Sequence, residues 1–129
     1  LWIVRDFDDV VNSALVSFET IPQQVARVVL ERDSADWRVQ GMSEQTYALL
    51  RRLHHARISP PSAAALFWYF RNILYFEQGF DRDPRVKLVR YERLVKEPAD
   101  EVREIFEFLN LTYHPHIAQK IFSGLPLIG

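Results

Sequence analysis

The residues best placed to do chemistry lie near the start of the chain. Arg5 closes the apolar run Leu1-Trp2-Ile3-Val4, and Ser13 follows eight positions later, in the early turns of the next helix. In open α/β sheets, ligands gather beyond the carboxyl ends of strands. An arginine there offers a planar fork of donors to phosphate or sulfate oxygens, and a helix serine adds a hydroxyl donor. Arg5 and Ser13 can thus converge on one anion. In the alternative, Arg5 pairs with Asp6 or Asp9 and Ser13 is only a small helix residue. The histidines point nowhere comparable. His54 and His55 are adjacent on a helix and point apart, unlike paired zinc ligands at i and i+4. His114-x-His116 lacks further ligands, so no metal site is expected.

The elements that must position these residues follow from periodicity and punctuation. Residues 1–5 read as a short buried strand, apolar at successive positions as parallel strands are. Asp6-Phe7-Asp8 is the connection, Asp8 the expected N-cap, and Asp9 favours the first turn of a helix carrying Val10, Val11, Ala14, Leu15 and Phe18. Pro22 suits the first position of a second helix, with Val25, Val28 and Val29, to about Arg32. Residues 33–40 form a polar loop around Trp37. Ser43 and Glu44 open a third helix with Tyr47, Leu50, Leu53 and His54 on one stripe. Ser59-Pro60-Pro61-Ser62 breaks the chain before a long helix over residues 62–78, apolar on most faces and therefore central. Its aromatics Trp68, Tyr69, Phe70, Tyr75 and Phe76 are expected to pack the core. Gly79 is its C-cap. After a turn at residues 81–84, a second strand spans residues 85–91. Pro98 starts a helix with Val102, Ile105, Phe106 and Leu109, ended by Asn110. A short helix at residues 117–122 precedes Gly124.

Strands alternating with helices imply an α/β class with a parallel sheet. Two strands make a poor sheet, so further strands are expected N-terminal to residue 1. The apolar opening, with no Met and no polar lead-in, fits a chain that begins inside a domain.

Composition narrows the function classes. The 129 residues suit one domain. Sixteen basic against seventeen acidic side chains leave a net charge of −1, with no basic field for nucleic acid. Zero cysteines exclude disulfides, thiolate metal sites and a cysteine nucleophile, and fit a reducing, cytoplasmic setting. The longest apolar run, residues 63–70, is far short of the ~20 residues of a membrane span. No basic segment followed by an apolar one opens residues 1–30, so a signal peptide is not expected.

The stretch from Arg85 through Arg90-Tyr91-Glu92-Arg93-Leu94 and Pro98 to Phe108-Leu109-Asn110-Leu111 resembles the sulfotransferase family, whose usual wording is close to R-Y-E-D-L … P … F-L-G-L. Here Arg93 stands where Asp is common and Asn110 where Gly is common. Arg5-Asp6-Phe7 with Ser13 resembles the family's 3′-phosphate motif, with Phe7 in place of Pro. Phe70-Arg71-Asn72 and Asp83-Pro84-Arg85 also resemble bacterial members.

The resemblance implies a P-loop nucleotide-kinase-like fold with a three-layer parallel sheet, incomplete here. It implies transfer of a sulfuryl group from 3′-phosphoadenylyl sulfate (PAPS) to a hydroxyl or amine of a small molecule, carbohydrate or lipid, releasing adenosine 3′,5′-bisphosphate (PAP), with no metal required. Arg5 and Ser13 would bind the 3′-phosphate, and Tyr91 would lie against the adenine; otherwise Tyr91 is a core aromatic at a strand end. Glu92 would anchor local structure. The family's 5′-phosphosulfate loop is Gly-rich, and none of the four glycines, at 41, 79, 124 and 129, sits in such a loop. Residues 1–129 are therefore expected to be the C-terminal part of a single domain, with that loop and the catalytic base in an N-terminal half. The competing readings are a P-loop phosphotransferase and a non-catalytic helical interaction module.

Overall fold

A computed structural model describes residues 1–17, 20–32 and 36–123. Phe18, the loop positions 33–35 and Gly124 lie outside the described residues. The chain forms two compact units, Leu1–Val4 with Arg85–Gly129, and Arg5–Pro84.

The second unit is helical. It holds α1 (Phe7–Ser17), α2 (Ile21–Glu31), α3 (Glu44–Leu53) and α4 (Pro60–Glu77). Asp6, not Asp8, caps α1: its carboxylate accepts from the Asp8 N–H at 3.0 Å and its carbonyl from the Val10 N–H at 3.0 Å. Asp8 and Asp9 then occupy the first turn, where carboxylates complement the helix dipole. Ser43 caps α3 as its sequence suggests, accepting from the Thr46 N–H at 3.1 Å. α4 begins two residues earlier than its hydrophobic pattern implies. Pro60 and Pro61 fill the first turn, where a missing N–H costs nothing, and Ser59 Oγ accepts from the Ser62 N–H at 3.3 Å. The Pro-Pro pair is thus the start of the helix instead of a break before it. Gly79, at φ +73, ends it, and the Phe80 N–H reaches the Tyr75 carbonyl at 2.9 Å.

α4 packs against α1, α2 and α3. The core joins Val25, Val28 and Val29 of α2, Leu50 of α3, and Ala63, Ala64 and Phe70 of α4, with Ala14 of α1. The expected stripe on α2 is therefore the buried face. α4 is central but not sealed all round, because Phe76 remains exposed.

The first unit holds β1 (Trp2–Val4), β2 (Leu88–Arg90), α5 (Tyr91–Lys96), α6 (Pro98–Phe108) and α7 (His116–Ser123). The strands are parallel, in register Trp2↔Leu88, Ile3↔Val89 and Val4↔Arg90. Both are shorter than their apolar runs imply. β1 is not buried as expected: Ile3 is 57% exposed, while its partner Val89 is fully covered. With two strands in the sheet, one side of β1 has no neighbour among the described residues. β2 passes straight into α5, so Tyr91 and Glu92 begin a helix and do not extend the strand. Pro98 opens α6 as expected. Asn110 closes it at φ +54, with the Leu111 N–H on the Phe106 carbonyl at 2.8 Å, a left-handed ending that asparagine tolerates.

Candidate functional site

Arg5 follows the last residue of β1, and the α1 cap immediately after it turns the chain into a helix. Its guanidinium Nη2 lies 3.9 Å from the Asp9 carboxylate, longer than the ~2.8 Å of a charge-assisted hydrogen bond. Asp9 thus orients Arg5 without a close, bidentate grip, and the side chain is 35% exposed. Asp9 and Ser13 are four residues apart on α1 and so share a face. Arg5 reaches that face from its N-terminal end, and Ser13 sits there half-buried. The sequence alternative in which Arg5 pairs with Asp9 is therefore present in the structure, as a loose contact in line with Ser13.

Trp68 supplies a support that sequence reasoning missed. Its indole N–H donates to the Arg5 carbonyl at 3.1 Å, and its ring meets Phe7 edge-on with centroids 5.4 Å apart. Asn72 in turn donates to the Trp68 carbonyl at 2.8 Å. α4 thereby pins the backbone from which Arg5 projects. The available signal was the amphipathic nature of tryptophan, whose N–H seeks an acceptor when the ring is covered; which acceptor it finds is a tertiary matter.

Tyr91 is the first residue of α5 and is 39% exposed, so it is not a core aromatic. Val4 and Arg90 are partners in the parallel ladder. Arg5 and Tyr91 each come directly after one of them in the chain.

Arg93 has a structural task. Its Nε stands 3.1 Å from the buried carboxylate of Glu101, and its Nη2 3.2 Å from Glu104. Lys87 meets Glu104 at 3.3 Å. Burying Glu101 without a counter-charge would be costly, and Arg93 on α5 provides that cation. These contacts hold the Glu104 carboxyl below the usual range, the hydrogen bond from Lys87 first and that from Arg93 next.

The histidines take no shared role with these residues. His54 caps α3 in extended conformation and is not on its stripe. With His55 it lines an open groove of about 580 Å³ that also contains Pro22, Ala26, Leu30 and Ile58. His114 and His116 stack with ring centroids 5.8 Å apart. Among the described residues, no group of three or more histidine or carboxylate side chains is placed to hold a metal ion. Among the same residues, no helix is long and apolar enough to cross a membrane.

Two parallel strands, each followed directly by a helix, give an α/β arrangement, with Arg5 after the first strand and Tyr91 after the second. A family model for the sulfotransferase domain matches residues 1–125. The chain belongs to the sulfotransferase family, whose chemistry is sulfuryl transfer. No curated protein and no solved structure matches it.

Proposed function

We propose that this chain supplies the 3′ side of a PAPS site in a sulfotransferase acting on a hydroxyl or amine acceptor. Arg5 and Ser13 bind the 3′-phosphate and Tyr91 lies against the adenine. The observation that supports the reading is Arg5, 35% exposed just beyond a parallel strand and 3.9 Å from Asp9, which shares a face of α1 with Ser13. Family membership favours sulfuryl transfer over the phosphotransferase and the helical module. The exposed side of β1 supports a larger parallel sheet, of the P-loop nucleotide-kinase kind in three layers. In that arrangement residues 1–129 are the C-terminal part of one domain, and the 5′-phosphosulfate loop and the base come from an N-terminal half. The absence of cysteine suits a cytoplasmic setting.

Calorimetry with PAP and with adenosine 5′-monophosphate, which lacks the 3′-phosphate, tests the assignment. Loss of a charge-assisted bond costs about 1.5–3 kcal/mol, so Arg5→Ala is expected to weaken PAP about tenfold or more while sparing the monophosphate. Ser13→Ala weakens PAP less. Tyr91→Phe keeps most affinity, and Tyr91→Ala loses clearly more. Equal losses of both nucleotides in Arg5→Ala would remove the 3′-phosphate role.

A further inference from the structure

α4 carries a second arginine on its way past the site. Arg71 lies three residues after Trp68, hence beside it on the helix surface, and Trp68 is the residue that holds the Arg5 carbonyl. Arg71 Nη1 donates to the Arg38 carbonyl at 2.7 Å. Its guanidinium carbon stands 4.8 Å from the centre of the Trp37 ring. The nearby carboxylate of Asp36 is already engaged, accepting from Arg38 Nε at 2.9 Å and from Arg38 Nη2 at 2.5 Å. Arg38 thus takes up the Asp36 carboxylate, and no carboxylate among the described residues forms an ion pair with Arg71. Burial pushes the Arg71 guanidinium below its ordinary value, with Asp36 opposing that shift and Arg38 adding to it. A guanidinium has five N–H donors, and one hydrogen bond to a carbonyl leaves most of that fork to be satisfied. Beside it, Trp37 is 70% exposed. A large ring held in water by a stacked arginine is a platform for another flat ring or for the apolar face of a sugar.

We propose that Arg71 and Trp37 recognise the sulfuryl acceptor, and that the acceptor is a ring bearing a carboxylate: the guanidinium takes the carboxylate and the indole packs against the ring. The inference rests on the reading of Arg5 as a nucleotide ligand, because Trp68 links the two positions along α4. The carboxylate can belong to an aryl ring or to a sugar acid, and the two are separable by experiment.

The protein, saturated with PAP, is titrated with 4-hydroxybenzoate and with glucuronate, each beside its uncharged methyl ester. Affinity is read by calorimetry and the Trp37 indole N–H resonance by NMR. One of the two acids is expected to bind about tenfold or more tighter than its ester, the scale of one charge-assisted contact, and to shift the Trp37 resonance. Which acid does so identifies the ring. Arg71→Gln abolishes the preference for acid over ester. Trp37→Ala, at a position 70% exposed, weakens acid and ester together. Equal binding of acid and ester, or a preference that survives Arg71→Gln, overturns the proposal. Should Arg71→Gln not fold, an acid affinity unchanged in Trp37→Ala overturns it alone. PAP affinity without added acid is measured separately, so loss of the nucleotide reading is told apart from loss of this one.

Discussion

The two units treat their apolar surface differently. The helical unit, Arg5–Pro84, covers Val25, Leu50, Phe70 and Leu74 almost completely. Its polar side chains tie distant segments together: Glu77 at the end of α4 accepts from the Ser43 N–H at 2.9 Å, from Ser43 Oγ at 2.5 Å and from the Thr46 hydroxyl. The strand-bearing unit buries far fewer apolar side chains, Val89, Val102 and Ala118, although both units leave large ones exposed, such as Val16 and Leu30 in the helical unit and Ile3 and Leu111 in the other. The reason lies in how each element satisfies its backbone. A helix closes its hydrogen bonds within itself and needs one apolar stripe covered. A strand needs neighbours on both edges and cover on its faces, and a pair of three-residue strands has few of either. The helical unit thus holds most of the buried apolar side chains among the described residues, and the strand pair holds few.

The largest expected effect lies in the helical core. Phe70→Ala removes a fully buried ring and is expected to cost about 3–5 kcal/mol. Urea unfolding checks this, and a loss near zero would mean that the helical unit does not carry the stability assigned to it.

Acid should weaken the same unit next. Hydrogen bonds from Arg38 hold the Asp36 carboxyl at about 2, against the opposing push of burial. A depressed carboxylate contributes stability above its unfolded value near 4 and loses it as pH falls toward 2, here about 2 kcal/mol. Burial pushes the Glu77 carboxyl up, but the hydrogen bonds from Ser43 and Thr46 outweigh it and leave the group below its ordinary value, so its sign is the same. Stability measured from pH 6 to pH 2 should fall through this window. Asp36→Asn should flatten the slope, and an unchanged slope in that variant would assign the acid sensitivity elsewhere.

The smallest effect is expected at β1. Ile3→Thr changes an exposed side chain and should alter the stability of residues 1–129 by under about 0.5 kcal/mol. Joined to an N-terminal half that completes the sheet, the same substitution should cost more, because Ile3 would then be covered. Equal small effects in both contexts would argue against further strands on β1.

Much of the local structure is determined by residues a few positions apart, and those signals are legible without coordinates. Ser43 before Glu44, Pro98 before its acidic turn, Gly79 and Asn110 after theirs, and the spacing of Val25, Val28 and Val29 all act within one or two helical turns. The eight-residue interval from Arg5 to Ser13 belongs to the same category, since one strand end and two turns of helix set it. Tyr91 shows where local reading stops: an apolar run says strand, yet the ladder ends at Arg90 and the chain coils at once, because pairing extends only as far as its partner β1 does. The contacts that shape the candidate site have larger separations. Trp68 meets Arg5 across 63 residues, Ser43 meets Glu77 across 34, and Arg71 meets Arg38 across 33. No periodicity encodes such pairs. They exist because α4 packs against its neighbouring helices, and that packing decides which polar group each side chain of α4 can reach.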